Sequence, residues 1–129
     1  MITNELNSVA EFQNAFRIAM TDKPTIDLPS DIVKLRFNLM KEENEEYLEA
    51  AENNDMIEVA DALGDMLYIL CGTILSHGMQ HKIREVFGEI QCSNMSKPVE
   101  DGEPIYREDG KVLKGPNYFK HNIKDILEK

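Results

Sequence analysis

Tryptophan is absent from the chain, and cysteine nearly so, with only Cys71 and Cys92. No Cys-x-x-Cys pair occurs, which argues against a zinc ribbon or a thioredoxin-like redox motif. Cys71 ends the apolar run Met66–Cys71 and reads as a buried free thiol. Aromatics supply 7% of the residues, so a core must rest on Leu, Ile, Val and the seven Met. The opening Met-Ile-Thr-Asn-Glu-Leu has neither a basic nor an apolar leader. No uninterrupted apolar run reaches the length of a bilayer span. Cations are scarce: 14 Lys and Arg against 24 Asp and Glu leave a formal charge of −10. A field of that sign does not hold nucleic acid. The expectation is a cytoplasmic protein with reduced thiols and neither a nucleic-acid nor a membrane partner.

What the chain does have is helical periodicity. Its 129 residues suit a single domain. Residues 1–91 read as a helical body and 92–129 as a tail. The first helix is expected over 1–20, with Ser8 and Glu11 as a capping box. A loop with two prolines follows, from Thr21 to Pro29. Ser30 and Asp31 can cap a second helix that runs to Asn53-Asn54. The short Asn-Asn-Asp turn predicts an antiparallel return over Met56–His77, stopped by Gly78. A fourth helix is expected from Gln80 to Glu89 or slightly beyond. In the tail, Asp109-Gly110 between β-formers signals a hairpin at about 105–113. A last short helix is expected over 121–128. The fold class is therefore all-α, a four-helix bundle-like domain with a C-terminal β-hairpin tail.

The second helix carries Glu42, Glu43, Glu45, Glu46, Glu49 and Glu52. With Glu42 set at zero and ~100° per residue, Glu46 falls at about 40° and Glu43 at about 100°. Leu35, Leu39 and Ile32 fall at roughly 20°, 60° and 80°. Glu42, Glu43 and Glu46 thus continue the apolar stripe, while Glu45, Glu49 and Glu52 face solvent. On the third helix Glu58, Asp61 and Asp65 lie within about 60° of one another and share a face with Ala62, Ile69 and Gly72. Ala62, Gly64 and Gly72 would let helices approach closely or leave room for a ligand. Carboxylates on a core-facing stripe become neutral, pair with cations or coordinate metal. No cluster of Lys or Arg matches them. Hard divalent cations that prefer oxygen ligands resolve the repulsion, and an acidic chain can then hold a polyphosphate through metal. His77 and His81 stand four apart, but Gly78 interrupts them, and they read as surface or helix-end residues.

At these residues the sequence resembles a known family. Glu42-Glu43-Asn44-Glu45-Glu46 followed by Glu58-Val59-Ala60-Asp61 is similar to the EExxE…ExxD pattern of the all-α NTP pyrophosphatases. Ser93-Asn94-Met95-Ser96-Lys97 and the run Asp109 to Tyr118 resemble the MazG-like, phosphoribosyl-ATP pyrophosphohydrolase-like subgroup. The resemblance spans about Phe12 to Phe119. It implies two or three Mg²⁺ ions per site, with Mn²⁺ as the alternative, held by Glu42, Glu43, Glu46, Glu58 and Asp61, with Asp65 in support. It implies hydrolysis of a nucleoside triphosphate at the α-phosphorus, with Glu43 or Glu46 orienting the attacking water or taking its proton. Asn94 and Lys97 would bind nucleotide, and Lys111, Lys114, Asn117 and Tyr118 would contact substrate around the phosphates. Phe16, Met20, Pro24 and Ile26 are candidates for the base pocket, although Phe16 reads first as core. A homodimer or homotetramer is implied, and the apolar flank Leu63, Leu67, Leu70 fits it as well as it fits a monomer core.

The leading expectation is a Mg-dependent (d)NTP pyrophosphohydrolase that cleans the nucleotide pool. One alternative is pyrophosphohydrolysis of a phosphoribosyl-nucleotide. A non-enzyme alternative is an acidic helical module that binds cations incidentally.

Overall fold

The computed structural model describes residues 2–97, 99–100, 103–113 and 118–129. Helices α1 (Thr3–Ala15), α2 (Ser30–Glu52), α3 (Met56–Ser76), α4 (Ile83–Met95) and α5 (Ile123–Glu128) dominate, with short strands β1 (Val99–Glu100) and β2 (Glu103–Pro104). The all-α class holds. The chain falls into two compact units, Met1–His81 and Lys82–Lys129. α4, assigned from the sequence to the helical body, groups with the tail.

In the first unit α1 and α2 both pack on α3. The core is made of Leu6 and Val9 from α1, Ala50 from α2, and Ala62, Cys71, Ile74 and Leu75 from α3. α1 is shorter than expected. It ends at Ala15, and Arg17 takes a left-handed φ of 59°. Ser8 and Glu11 sit inside the helix, so the capping box does not form there. Ser30 is the first residue of α2 and no side chain caps it. The α2–α3 turn follows the expectation: Asn54 adopts a φ of 56°, a conformation that asparagine tolerates. Asp55 caps α3 by accepting the Glu58 N–H at 3.1 Å.

Among the described residues α3 is long and apolar enough, by length and composition alone, to cross a bilayer, although Glu58, Asp61 and Asp65 interrupt its apolar run. The acidic residues all lie in its first half, so its second half is apolar almost throughout.

The segment between α1 and α2 is strapped to the end of α3. Thr21 N–H donates to Leu75 O at 3.3 Å, and Thr25 N–H to His77 O at 2.9 Å. The Ser76 hydroxyl donates to Ala19 O, and Gln80 Nε2 to Thr21 O. Gly78 has a φ of +67°, and a Cβ there would stand 2.1 Å from Lys23 O, so this stop requires glycine.

α4 starts later and runs further than expected, to Met95, because no proline intervenes before Pro98. The hairpin expected at 105–113 does not form as a strand pair. A single antiparallel bridge joins Tyr106 and Val112, and the strand pair lies earlier, with Val99 opposite Pro104. Asp109 bonds to its own turn, through the Arg107 guanidinium and the Lys111 N–H. These local bonds hold a tight turn without extending a ladder.

Candidate functional site

Antiparallel packing of α2 on α3 creates the site. Three residues separate the helices, and such a short connection forces neighbouring antiparallel helices. Far from the turn, Arg36 Nε donates to Thr73 Oγ1 at 3.0 Å and its NH2 to Ile69 O at 2.8 Å. Arg36 is only 8% exposed, and burial pushes its guanidinium below its ordinary pKa.

This anchor rotates the buried face of α2 from its expected position. Leu35 is 49% exposed, whereas Arg36 and Ala50 are buried. On the same wheel Arg36, Glu43 and Ala50 fall at roughly 120°, 100° and 80°. The inward direction therefore passes through Glu43. Glu42 is exposed, Glu46 sits on the flank, and Glu43 is half-buried.

Glu43 is the electrostatic centre. Its carboxyl is raised to about 7, first by burial, then by its hydrogen bond with Glu46, then by the negative charges of Glu46, Asp65 and Asp61. Its Oε2 is enclosed and has no hydrogen-bond partner. Across the helix pair, half-buried Asp65 is also raised, by burial first and then by Asp61 and Glu46. Glu43, Glu46, Asp61 and Asp65 thus form one interacting set.

A groove of about 510 Å³ opens beside this set, lined by Glu46, Glu49, Ala50, Asn53, Asp55, Glu58 and Asp61. Glu46 and Asp61 belong to both groups. Glu42 belongs to neither. Glu49, exposed as expected, also lines the groove. Asp55 and Asn53 escaped the sequence reading, although Asp55-x-x-Glu58 is a capping pattern that could have flagged the former. Among the described residues no ion pair involves these carboxylates; the nearest on α2 is Lys41 with Glu45 at 3.9 Å. Nor do three of them stand in ready-made metal-holding geometry. The enclosed, partnerless Oε2 of Glu43 is nevertheless the kind of atom that a hard cation or a proton satisfies.

Beyond Asp65 on α3 lies an aromatic patch. Phe12 packs on Phe16 with centroids 4.7 Å apart and meets Tyr68 edge-on at 5.5 Å. Phe16 is 67% exposed, which overturns its assignment to the core. It is the residue just past the end of α1, at its C-cap. Gly72 supports close packing: a Cβ there would stand 2.3 Å from Gln13 Oε1 and 2.5 Å from Arg36 NH2. Gly64 has open space instead, with nothing among the described residues within 4 Å of where a Cβ would stand. His77 ends α3, with its Nδ1 2.9 Å from Thr25 O.

The other sequence-assigned residues stand in the second unit. Asn94 is exposed on α4, Lys97 is half-buried just after it, Lys111 is exposed in the Asp109-Gly110 turn, and Tyr118 is half-buried. Lys114 and Asn117 lie outside the described residues.

The family model of phosphoribosyl-ATP pyrophosphohydrolase matches residues 9–94, covering all of α2 and α3 and most of α1 and α4. A protein of Acanthamoeba polyphaga mimivirus, the uncharacterized protein L479, is 32% identical over 96 residues, or 73% of this chain. The chain spans 34% of the length of that relative. The acidic helix pair lies wholly within the matched region. The chain belongs to the phosphoribosyl-ATP pyrophosphohydrolase family, within the all-α NTP pyrophosphatase superfamily.

Proposed function

We propose that the chain is a Mg²⁺-dependent nucleoside triphosphate pyrophosphohydrolase that converts a (d)NTP and water to a (d)NMP and pyrophosphate. The observation that carries the reading is the set of half-buried Glu43 and Asp65 with exposed Glu46 and Asp61, gathered about an enclosed oxygen of Glu43 that has no partner. Glu43, Glu46, Asp61 and Asp65 would hold the ions, two or three per site, with Glu58 on the groove side and Glu42 at the rim. When bound, Mg²⁺ (or Mn²⁺) supplies charge neutralisation and Lewis acidity toward the phosphates. Glu43, whose enclosed Oε2 has no partner, takes the proton of the water that attacks the α-phosphorus. Glu46, close enough to raise the Glu43 carboxyl, orients it. The bond from the α-phosphorus to its bridging oxygen breaks, and pyrophosphate leaves.

Asn94, Lys97, Lys111, Lys114, Asn117 and Tyr118 are assigned to substrate on the strength of the family resemblance. The exposed patch of Phe12, Phe16 and Tyr68 offers a stacking face for the base. The finer architecture, a four-helix bundle-like body, rests on the same resemblance. So does assembly as a homodimer or homotetramer, supported by Leu63, Leu67 and Leu70, which are 51%, 41% and 43% exposed. Nucleotide-pool cleaning in the cytoplasm is the corresponding role.

The description of the matched family favours a second substrate, phosphoribosyl-ATP, cleaved at the same type of bond. One experiment separates these readings and the non-enzyme one. The purified protein is assayed against a panel of dNTPs, NTPs and phosphoribosyl-ATP, with Mg²⁺ and with EDTA, beside Glu46→Gln. Monophosphate and pyrophosphate, lost with EDTA and in the variant, are expected. Diphosphate plus phosphate would refute attack at the α-phosphorus. Turnover of phosphoribosyl-ATP alone would select the second substrate. Mg²⁺ binding with no turnover would leave the cation-binding module.

A further inference from the structure

The Ser93-Asn94-Met95-Ser96-Lys97 run contains two serines that the proposed chemistry does not use. Ser93 is 1% exposed, and its hydroxyl donates to Phe119 O at 2.8 Å. One turn on, Ser96 Oγ accepts the Phe119 N–H at 3.1 Å and donates to Ser93 O at 2.6 Å. Both backbone groups of a single tail residue are therefore held by Ser93 of α4 and by Ser96 at its C-cap.

The serines belong to a longer seam. Glu89 Oε1 accepts the Asn122 N–H at 3.0 Å, Glu85 pairs with Lys129 at 3.7 Å, and Lys82 Nζ donates to Lys129 O at 3.3 Å. Positions 82, 85, 89, 93 and 96 follow steps of three and four, which is one stripe of a helix. They meet tail residues in reverse order, so the tail runs antiparallel along α4. Ile126 of α5 is buried in the same unit.

The consequence lies in the neighbouring residues. Lys97 follows Ser96 directly, and Tyr118 precedes Phe119 directly, so the bond that ties Ser96 to Phe119 fixes the backbone beside both. Asn94 follows Ser93 and is exposed on the next face of α4. We infer that Ser93 and Ser96 are positioning residues that set Asn94, Lys97 and Tyr118 as one substrate-contacting group. This inference rests on the nucleotide reading proposed above. It gives the run a division of labour: the serines hold the returning chain, and Asn94 and Lys97 face the ligand.

The test uses Ser96→Ala, Ser93→Ala and Ser96→Thr in the full chain, with the wild type's preferred triphosphate. Each alanine variant should raise KM by about tenfold while kcat changes less than about threefold, the scale of losing one or two hydrogen bonds of the clasp. Amide exchange at Phe119 should quicken in the same variants. Ser96→Thr keeps the hydroxyl and should restore KM. Faster exchange with an unchanged KM would overturn the inference, because the clasp would then be structural only. A fall in kcat at unchanged KM would also overturn it. If Ser93→Ala does not fold, Ser96→Ala, which alters a half-buried hydroxyl, decides alone. If the wild type turns over no nucleotide, the reading of the site fails separately. The clasp is then judged by titrating wild type and Ser96→Ala with tripolyphosphate and Mg²⁺, followed at the Lys97 and Tyr118 amides. Weaker binding by the variant supports it; equal binding or none overturns it.

Discussion

Arg36 and Thr73 pin α2 to α3 at the end of the helix pair remote from its turn, with the guanidinium Nε 3.0 Å from the threonine hydroxyl. From Arg36 to Glu43 is about 10 Å along α2, and from Thr73 back to Asp65 about 12 Å along α3, at ~1.5 Å per residue. The pin and the acidic set therefore share one register, and the first fixes the second.

Arg36→Ala should destabilise the first unit by about 2–4 kcal/mol, because it removes two hydrogen bonds and leaves a cavity. Arg36→Met should cost less than about 1 kcal/mol. It fills the space and removes a buried cation, and no carboxylate pairs with that cation among the described residues. Chemical denaturation of both variants checks this. Equal losses would show that the hydrogen bonds, rather than the packing, carry the pin.

Two glycines of α3 should respond in opposite directions. Gly72→Ala drives a methyl to within 2.3 Å of Gln13 Oε1 and 2.5 Å of Arg36 NH2, so about 1–3 kcal/mol of overpacking is expected. Gly64 meets nothing within 4 Å, so Gly64→Ala should stabilise the helix by up to ~1 kcal/mol. Thermal melts of the two variants should move apart from the wild type.

This contrast shows where the sequence was legible. Helix ends marked by Asn53-Asn54-Asp55 and by Gly78 were readable because their backbone demands are local. The face of α2 was readable only to within about half a quadrant. Hydrophobic periodicity placed Leu35 inward, but the residue that reaches α3 is Arg36, a cation whose stem packs while its head bonds to a carbonyl and a hydroxyl. That displacement put Glu43 at the centre and Glu42 at the rim, an outcome decided by one tertiary contact. The Asp109-Gly110 turn was visible, and its flanks pair through Arg107 N–H to Lys111 O and Leu113 N–H to Ile105 O around a single bridge, short of the two strands that β propensity suggested. The roles of Ser93 and Ser96 depend on a partner 23 to 26 residues away, and no local pattern encodes that.

Stability without metal should fall as pH rises, the reverse of the usual carboxylate behaviour. Glu43 has a folded-state value of about 7 against an ordinary 4.5, and Asp65 is displaced upward as well. The folded state therefore binds protons more tightly than the unfolded one. The stabilisation is full below the ordinary value and is lost as pH climbs through about 7. In EDTA, the melting temperature should drop between about pH 4.5, the ordinary value, and about pH 8, roughly one unit above the folded-state value. Glu43→Gln should flatten that drop. A melting temperature that rises over the interval would contradict the assignment of Glu43 as the enclosed, mutually repelled carboxyl.

Asp55 allows charge and capping to be separated within the groove. Its carboxylate accepts the Glu58 N–H at 3.1 Å and also lines the groove with Glu46, Glu58 and Asp61. Asn caps a helix about as well as Asp, whereas Ala forfeits roughly 1 kcal/mol. Asp55→Asn should therefore keep the melting temperature within about a degree or two, since ~1 kcal/mol would move a domain of this size by several degrees. Asp55→Ala should lower it by those several degrees. Mg²⁺ affinity, measured by calorimetry, gives the second axis. If ions occupy the groove, both variants should bind Mg²⁺ less tightly by a similar factor, because both remove the same negative charge. If ions occupy only the set around Glu43 and Asp65, affinity should hardly change in either, and Asp55 would serve the fold alone.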